Sequence, residues 1–256
     1  MHFDNYDHKF LVDGTRLIFV PTPAARMAGR KLQKQVLRRW TPPVYFYHFS
    51  EGGHVAAAKA HLKSHLFARL DIAKFFDHIT RGRVHRALRR IGFKHGFAWD
   101  AACESTVSKS TTKKSYSLPF GFVQSPVLAS LALATSALGA ALAELHHGGM
   151  SLSVYMDDML LSGDDGSALR MARCKLEAAT EISRFEFNTL KSAGPECEID
   201  VFNLVLSHDR LRVSPERFAR FASAIADPTG DIAIIDGILG YVGTVNANQR
   251  LLLASV

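Results

Sequence analysis

Residues 151–163 read SLSVYMDDMLLSG and place two adjacent aspartates, Asp157 and Asp158, within a run of residues typical of β-structure. Apolar residues flank the pair on both sides, so the run predicts a buried hairpin whose turn carries the two carboxylates. Ionised carboxylates in apolar surroundings repel each other and lose hydration unless a cation or a basic group lies beside them. The stretch therefore indicates either an ordinary polar turn or a site for a divalent metal ion.

The composition describes a folded, basic protein. The chain has 256 residues, of which 47% are hydrophobic and 21% are charged, and its formal net charge is +7. This balance supports a substantial core, excludes a disordered chain and makes nucleic acid the leading partner. Cys103, Cys174 and Cys197 are odd in number and far apart, which predicts neither a disulfide framework nor a zinc site and is typical of a reducing cytoplasm.

One segment has to be weighed as a membrane span. Residues 125–149 are uncharged from Pro126 to Ala143, but small and hydroxylated residues make the segment only weakly apolar. Its ends are those of a soluble helix, with Ser125 as N-cap and Gly148 beyond the C-terminus. We expect a single buried helix here and no membrane contact.

Coarse periodicity predicts the remaining elements. Residues 65–72 alternate as a strand that ends near Asp71. Residues 27–40 predict a basic helix with Leu32, Val36 and Leu37 facing inward. A turn is expected at residues 13–14 and a polar basic loop at residues 108–115. Beyond Pro195 the pattern predicts a β-hairpin and two short helices.

A second helix, residues 80–93, is unusually rich in arginine. Thr80 is its expected cap and Gly92 its stop, with an apolar face opposite the charges. Such an arginine run is either a solvated helix face or a surface for a phosphate backbone. The arginines are Arg81, Arg83, Arg86, Arg89 and Arg90.

A third carboxylate strengthens the metal interpretation of the hairpin. Asp71 ends a predicted strand, and a sheet could bring it beside Asp157 and Asp158. Clustered carboxylate oxygens are the ligands that Mg²⁺ prefers when it also holds substrate phosphates. Two such ions can activate an attacking hydroxyl and stabilise a leaving pyrophosphate, which is the chemistry of nucleotidyl transfer.

Six blocks in order resemble the motifs of reverse transcriptases. The three core motifs are similar to LDIAKFF (70–76), SLPFGFVQSP (117–126) and YMDD (155–158). The fingers, fourth and fifth motifs resemble DGTRLIFVP (13–21), FNTLKS (187–192) and DVFNLVLS (200–207). The paired Phe75 and Phe76 and the stretch at 43–62 are most similar to bacterial retron, group II intron and antiviral-defence enzymes, although the retron NAxxH and VTG signatures are absent.

The resemblance implies an α+β right-hand polymerase fold with fingers at 1–62, an antiparallel-sheet palm at 63–212 and a short helical thumb at 213–256. The palm would carry a finger-like insertion near 80–118. About 40 residues remain for the thumb, so the grip on primer and template is expected to be small or shared with a folded RNA or a second subunit.

The resemblance also implies the site residues. Asp71 and Asp157 would be the main ligands of two Mg²⁺ ions, with Mn²⁺ as an alternative, while Asp158 would support them and the Ile72 carbonyl would add a ligand. Lys191 would donate to the departing pyrophosphate. The nucleotide would contact Lys9, Arg16, Ile72, Phe76, Phe120, Gly121 and Gln124.

Two positions depart from the common family pattern. Phe120 stands where many relatives have glutamine, and Asn203 stands where glycine is common. Phe76, five residues after Asp71, would press an aromatic ring against the sugar and exclude a 2′-hydroxyl. Neighbours on a helix point about 100° apart, so we expect Phe75 to enter the core and Phe76 to face the site.

The function predicted is RNA-templated DNA synthesis, in antiviral defence by analogy. The partners would be an RNA template, a nucleic-acid primer, deoxynucleoside triphosphates and a structured non-coding RNA or second subunit, in the cytoplasm. An RNA-dependent RNA polymerase or a template-independent nucleotide transferase on the same palm stays open, as does an inert nucleic-acid-binding protein. The three aspartates argue against the last.

Overall fold

The computed structural model describes residues 5–12, 14, 16–109, 115–227 and 230–255. The strands are β1 (Tyr6–Val12), β2 (Arg16–Pro21), β3 (Leu66–Asp71), β4 (Val107–Ser108), β5 (Tyr116–Ser117), β6 (Ser151–Tyr155), β7 (Asp158–Gly163), β8 (Ala193–Glu196), β9 (Glu198–Val201), β10 (Leu204–Ser207) and β11 (Arg210–Val213). The helices are α1 (Pro23–Leu37), α2 (Gly53–Lys59), α3 (Phe75–His78), α4 (Arg81–Arg90), α5 (His95–Glu104), α6 (Ser125–Ala134), α7 (Ala137–His147), α8 (Gly166–Ser183), α9 (Pro215–Ile225), α10 (Ile232–Val245) and α11 (Ala247–Ala254). This mixture of helices with antiparallel sheets confirms the α+β class.

The chain divides into two compact units that interleave along the sequence. The first comprises the described residues within Met1–Pro43, Ile72–Glu144 and Leu176–Glu186, and the second those within Val44–Asp71, Leu145–Lys175 and Phe187–Val256. The fingers, palm and thumb bounds given above stay predictions.

A four-stranded antiparallel sheet organises the second unit, in the order β6-β7-β3-β8. The predicted strand before Asp71 and the predicted hairpin at 151–163 are both present. Tyr155 pairs with Asp158 across the hairpin, and Asp71 pairs with Asp158 across the next strand. Met156 and Asp157 form the two-residue turn, and Met156 takes a positive φ of 61°. Asp158 therefore begins β7 instead of lying in the turn.

The C-terminal part of the second unit has more elements than expected. Instead of one hairpin, its described residues form a three-stranded sheet in the order β11-β10-β9, followed by three helices instead of two. The turn between β9 and β10 consists of Phe202 and Asn203, with φ of 56° and 61°. Two-residue hairpin turns need positive φ, which asparagine tolerates better than most residues, so Asn203 can replace a glycine there.

The first unit is mainly helical and contains the hairpin β1–β2 and the short pair β4–β5. The predicted arginine-rich helix is α4, and the Thr80 hydroxyl caps it by accepting from the Arg83 amide at 3.4 Å. In α1, Leu32 and Val36 are buried as expected, but Leu37 is 41% exposed, so its predicted inward orientation is wrong. The turn at 13–14 and the loop at 108–115 lie partly outside the described residues.

The long apolar segment forms two helices instead of the single helix predicted. Helix α6 is almost entirely buried, and α7 continues at an angle of 72°. Hydroxyls cause the break: Thr135 donates to the Leu131 carbonyl at 2.8 Å, and Ser136 accepts from the Gly139 amide at 3.1 Å. Side chains that bond to the local backbone end one helix and cap the next. Ser125 lies inside α6 without a side-chain cap bond, and Gln124 takes the N-cap position.

Among the described helices, none by itself has the length and hydropathy needed to cross a membrane. In the described residues, α6 and α7 meet that test by length and composition when they are taken together across their bend.

Candidate active site

Strand register brings the three predicted carboxylates together in the second unit. Asp71 ends β3, lies opposite Asp158 on β7 and is only 3% exposed. Asp157 precedes Asp158 at the tip of the hairpin, and both side chains are half-buried. The pairing of β3 with β7 thus aligns the last residue of β3 with the aspartate pair.

Arg69 neutralises one of the three carboxylates. Its guanidinium donates to the Asp158 Oδ1 atom through Nε at 3.0 Å and through Nη2 at 2.7 Å, and Nη1 donates to the Asp200 carbonyl at 3.1 Å. Burial raises the pKa of Asp158, and the charge and hydrogen bonds of Arg69 oppose that rise. Sequence reasoning missed this arginine. Its position two residues before Asp71, on the same face of the strand, is the signal that could have found it.

Among the described residues, no arginine pairs with Asp157 as Arg69 does with Asp158, so the excess negative charge of the site lies on Asp157. Burial first, and then the charges of Asp158 and Asp71, raise the pKa of Asp157 from its ordinary value of 3.8 to about 6, although its own backbone amide and Lys191 act in the opposite direction. A carboxylate whose ionised form is this costly gains most from a nearby cation. The electrostatics therefore favour a cation beside Asp157.

The segment after α8 supports Asp71 from its other side. The Asn188 amide donates to the Asp71 carbonyl at 2.8 Å, which fixes the end of β3. Lys191 places its Nζ atom 3.7 Å from Asp71 Oδ2, while its side chain remains 56% exposed. The predicted lysine thus lies at the carboxylate site with its ammonium accessible to solvent.

Two histidines that the sequence analysis did not single out hold the hairpin. His48 accepts a hydrogen bond from the Met156 amide at 3.3 Å, and burial lowers the pKa of His48 to about 4. His61 is 1% exposed, and its ring bridges strands β6 and β7. Its Nε2 atom lies 2.7 Å from the Ser153 hydroxyl on β6, and its Nδ1 atom lies 2.7 Å from the Ser162 hydroxyl on β7. Neither contact has a local sequence signal, because each joins residues about a hundred positions apart.

The donor set fits a magnesium ion that shares its coordination with substrate. Within the described part of the chain, no group of three or more His, Cys, Asp or Glu side chains is spaced to hold a metal ion by itself. Mg²⁺ is usually held by one or two carboxylates, together with waters and substrate phosphates, and not by a closed cage of side chains. Asp71 and Asp157 supply two such carboxylates. Asp158 binds Arg69 through its Oδ1 atom, and its role beside the metal stays a prediction.

The first unit contains a second cluster of predicted residues. Phe120 is half-buried, with the Arg16 guanidinium 5.2 Å and the Lys109 ammonium 5.9 Å from its ring centroid. The Phe76 ring lies 4.7 Å from that of Phe120 and is only 7% exposed. Phe76 therefore packs against Phe120 instead of standing alone, and its predicted orientation toward the nucleotide stays a prediction. Phe75 enters the core as predicted and packs against Phe185.

The remaining predicted nucleotide contacts have structural roles of their own. Gly121 has a φ of 100°, and a Cβ there would lie 2.2 Å from the Phe19 carbonyl oxygen. Gln124 is 3% exposed and donates its amide to the Ser105 hydroxyl at 3.3 Å. Lys9 is exposed, with its ammonium 5.9 Å from the Phe19 ring. Ile72 is 1% exposed. Their contacts with a nucleotide, and those of Arg16, stay predictions.

Comparisons with known proteins agree with these features. A family model described as Reverse transcriptase (RNA-dependent DNA polymerase) matches residues 8–198. Among curated proteins, Retron Mx65 reverse transcriptase of Myxococcus xanthus is 26% identical over 265 residues, covering 94% of this chain. This chain spans about three fifths of that protein, 61% of its length.

Solved structures show the same fold at low sequence identity. A telomerase from Candida albicans, in complex with a fragment of telomeric RNA, matches 93% of this chain with a TM-score of 0.55 and 10% identity. A foamy viral protease-reverse transcriptase in complex with double-stranded DNA matches 91% of this chain with a TM-score of 0.52 and 15% identity. This chain covers 52% and 35% of those two chains, respectively.

Proposed function

The chain belongs to the reverse transcriptase family, and from that premise we propose that it is an RNA-directed DNA polymerase. The observation that supports this most directly is the register of β3 against β7, which places Asp71 beside the Asp157–Asp158 hairpin. Bound Mg²⁺ would supply activation of the attacking primer hydroxyl and stabilisation of the leaving pyrophosphate. We assign Asp71 and Asp157 as its ligands, with the Ile72 carbonyl as a further predicted donor.

The other residues of the second unit have supporting roles in this proposal. Arg69 holds Asp158 in place and opposes the rise in the pKa of Asp158 that burial causes, so that Asp158 can support the metal ligands without having to be a direct ligand. Lys191 lies beside Asp71 with an accessible ammonium, which suits a contact with the negative charge that develops on departing pyrophosphate.

We assign three residues of the first unit, Arg16, Phe76 and Phe120, to nucleotide recognition. Arg16 offers a planar guanidinium suited to the triphosphate. Selection against a 2′-hydroxyl would come from the Phe76–Phe120 pair, in which Phe76 sets the position of the more accessible Phe120 ring. Lys9, Gly121 and Gln124 are kept as predicted contacts of the same nucleotide.

The test is primer extension on an RNA template with deoxynucleotides and Mg²⁺. Asp157→Asn removes a ligand charge and should lower incorporation about a hundredfold or more, while leaving the fold intact because carboxylate repulsion is relieved. Asp164→Asn, at an exposed aspartate beyond β7 that pairs with His65, is the matched control and should retain activity. Incorporation by Asp157→Asn at the rate of the unmodified chain would contradict the proposed metal site.

The biological role proposed is bacterial antiviral defence with a partner non-coding RNA, by analogy with bacterial relatives. The similarity to a retron reverse transcriptase supports a bacterial type. Sequencing the nucleic acid that copurifies with the protein tests this role: one recurrent structured RNA is the expected result, and a random mixture of cellular RNA would contradict it.

A further inference from the structure

A cavity of about 700 Å³ lies within the first unit, and none of the residues assigned above to metal or nucleotide lines it. Three separate segments form its wall. Residues 77–90, from the end of α3 through α4, supply one side, the junction of α6 and α7 at Thr135 and Ser136 supplies the second, and residues 182–184 at the end of α8 supply the third. The cavity therefore exists only in the folded unit.

Its charge is strongly positive and uncompensated. Arg83, Arg86 and Arg90 of α4 line it together with Arg184, and no carboxylate of the described residues forms an ion pair with any of these four. The one carboxylate in the wall, Asp77, is already paired with Lys109. Burial, followed by the charges of Arg86 and Arg184, lowers the pKa of Arg83. Clustered like charges destabilise a fold unless an anion compensates them.

Arg83 is fixed, whereas the other three guanidinium groups are accessible. Its Nη2 atom donates to the Ser183 carbonyl and, at 3.0 Å, to the Arg184 carbonyl, and its guanidinium lies 4.3 Å from the Phe185 ring centroid. Arg86, Arg90 and Arg184 are exposed. The cavity thus has a rigid cationic floor and a cationic rim.

We propose that this arginine cavity binds the phosphate backbone of a nucleic-acid strand. Arginine forks match phosphate oxygens, and residues four apart on a helix, such as Arg86 and Arg90, are close enough to contact neighbouring phosphates of one strand. No Phe, Tyr or Trp of the described residues lines the wall, and His78 is the one ring side chain among the described lining residues, so the wall is made for phosphate contacts more than for stacking on a base. The choice of nucleic acid as the anion rests on the proposed polymerase function.

The experiment measures binding of a fluorescein-labelled, single-stranded RNA to the full chain by anisotropy across a salt series. Arg86→Gln combined with Arg90→Gln removes two phosphate contacts, which should reduce the slope of log affinity against log salt by about 1.4 and weaken binding about 20-fold near 0.1 M salt. Arg184→Gln, on a different segment, should reduce the slope by about 0.7. The matched control is Arg26→Gln with Arg30→Gln, two exposed arginines with the same spacing on α1.

Binding that weakens for both cavity variants, but changes less than about threefold for the α1 control, supports the proposal. Equal losses in the cavity and control variants, or no loss in the cavity variants, would overturn it. Competition by inorganic triphosphate as effective as that by unlabelled RNA at equal phosphate concentration would also overturn it, in favour of a small polyphosphate ligand. Primer extension by the unmodified chain, measured in parallel, tests the polymerase function separately. If the unmodified chain does not extend a primer but the cavity variants still weaken RNA binding, the polymerase function is refuted and the phosphate-binding cavity is not.

Discussion

Lowering the pH should destabilise the protein through the buried imidazole of His61. The surrounding hydrogen bonds are all satisfied when His61 is neutral. Ser64 can donate to Ser162, Ser162 to His61 Nδ1, and His61 Nε2–H to Ser153, whose hydroxyl donates to the Ala57 carbonyl. A proton on Nδ1 reverses the bond from Ser162 and places a charge where water has no access.

The size of the loss of stability follows from the change in the pKa of His61 on folding. Burial lowers the pKa of His61 from 6.5 to about 4, so the unfolded chain takes up the proton first as the pH falls. Stability is therefore retained above pH 6.5 and is lost progressively between pH 6.5 and pH 4. Between pH 7 and pH 5 this one group should reduce the free energy of unfolding by about 2 kcal/mol.

The assay compares the unmodified chain with His61→Gln by urea denaturation at pH 7 and pH 5. At pH 7 the variant should be less stable by about 1–3 kcal/mol, because buried hydroxyls lose partners. At pH 5 that gap should shrink by about 2 kcal/mol, since glutamine does not titrate. His147→Gln, at an exposed histidine, is the control for loss of an imidazole. An identical gap for His61→Gln at both pH values would refute the reasoning.

Three further outcomes follow from the structure. Arg16→Ala should raise the KM for deoxynucleotide more than it weakens template binding, because the proposed contact is with the triphosphate; equal losses in steady-state kinetics and in RNA binding would place Arg16 on the template. Phe76→Val should increase ribonucleotide incorporation relative to deoxynucleotide incorporation in single-nucleotide extension. Phe75→Val, at the neighbouring core ring, should leave that ratio unchanged. The same ratio in Phe76→Val as in the unmodified chain would show that Phe76 has only a structural role. Gly121→Ala should lower the free energy of unfolding by more than about 2 kcal/mol in chemical denaturation. The φ of Gly121 is positive, and a Cβ there would lie 2.2 Å from the Phe19 carbonyl oxygen, which leaves no space for a methyl group. A variant as stable as the unmodified chain would contradict that close approach.

Sequence by itself determined the local elements that carry the chemistry. The two-residue period of residues 65–72 predicts a strand, because alternate side chains of a strand point to opposite faces, and the β-typical apolar run at 151–163 predicts a hairpin. The order of the motifs then places Asp71, Asp157 and Lys191 in one family pattern. Thr80 as a cap was equally predictable, because a cap depends only on residues within one helical turn.

Tertiary structure decided how these elements are supported and what else they form. The Arg69–Asp158 pair, the burial of His61 and the covering of Phe76 by Phe120 all join residues that are distant in sequence. Hydrophobic periodicity shows which face of an element is buried, but it does not show which partner lies against that face.

The arginine-rich helix α4 shows most clearly the difference between what its sequence predicts and what tertiary packing decides. From the sequence, α4 was consistent with a solvated face, the commoner role of an arginine run, and with a phosphate-binding surface. Helix α8 ends beside it and contributes Arg184, while the break between α6 and α7 completes the wall. The period of a helix determines which of its faces carries the charged side chains. Only packing against other segments can enclose those side chains in a cavity. Such packing depends on contacts between residues about a hundred positions apart, such as Arg83 with Ser183 and Arg184.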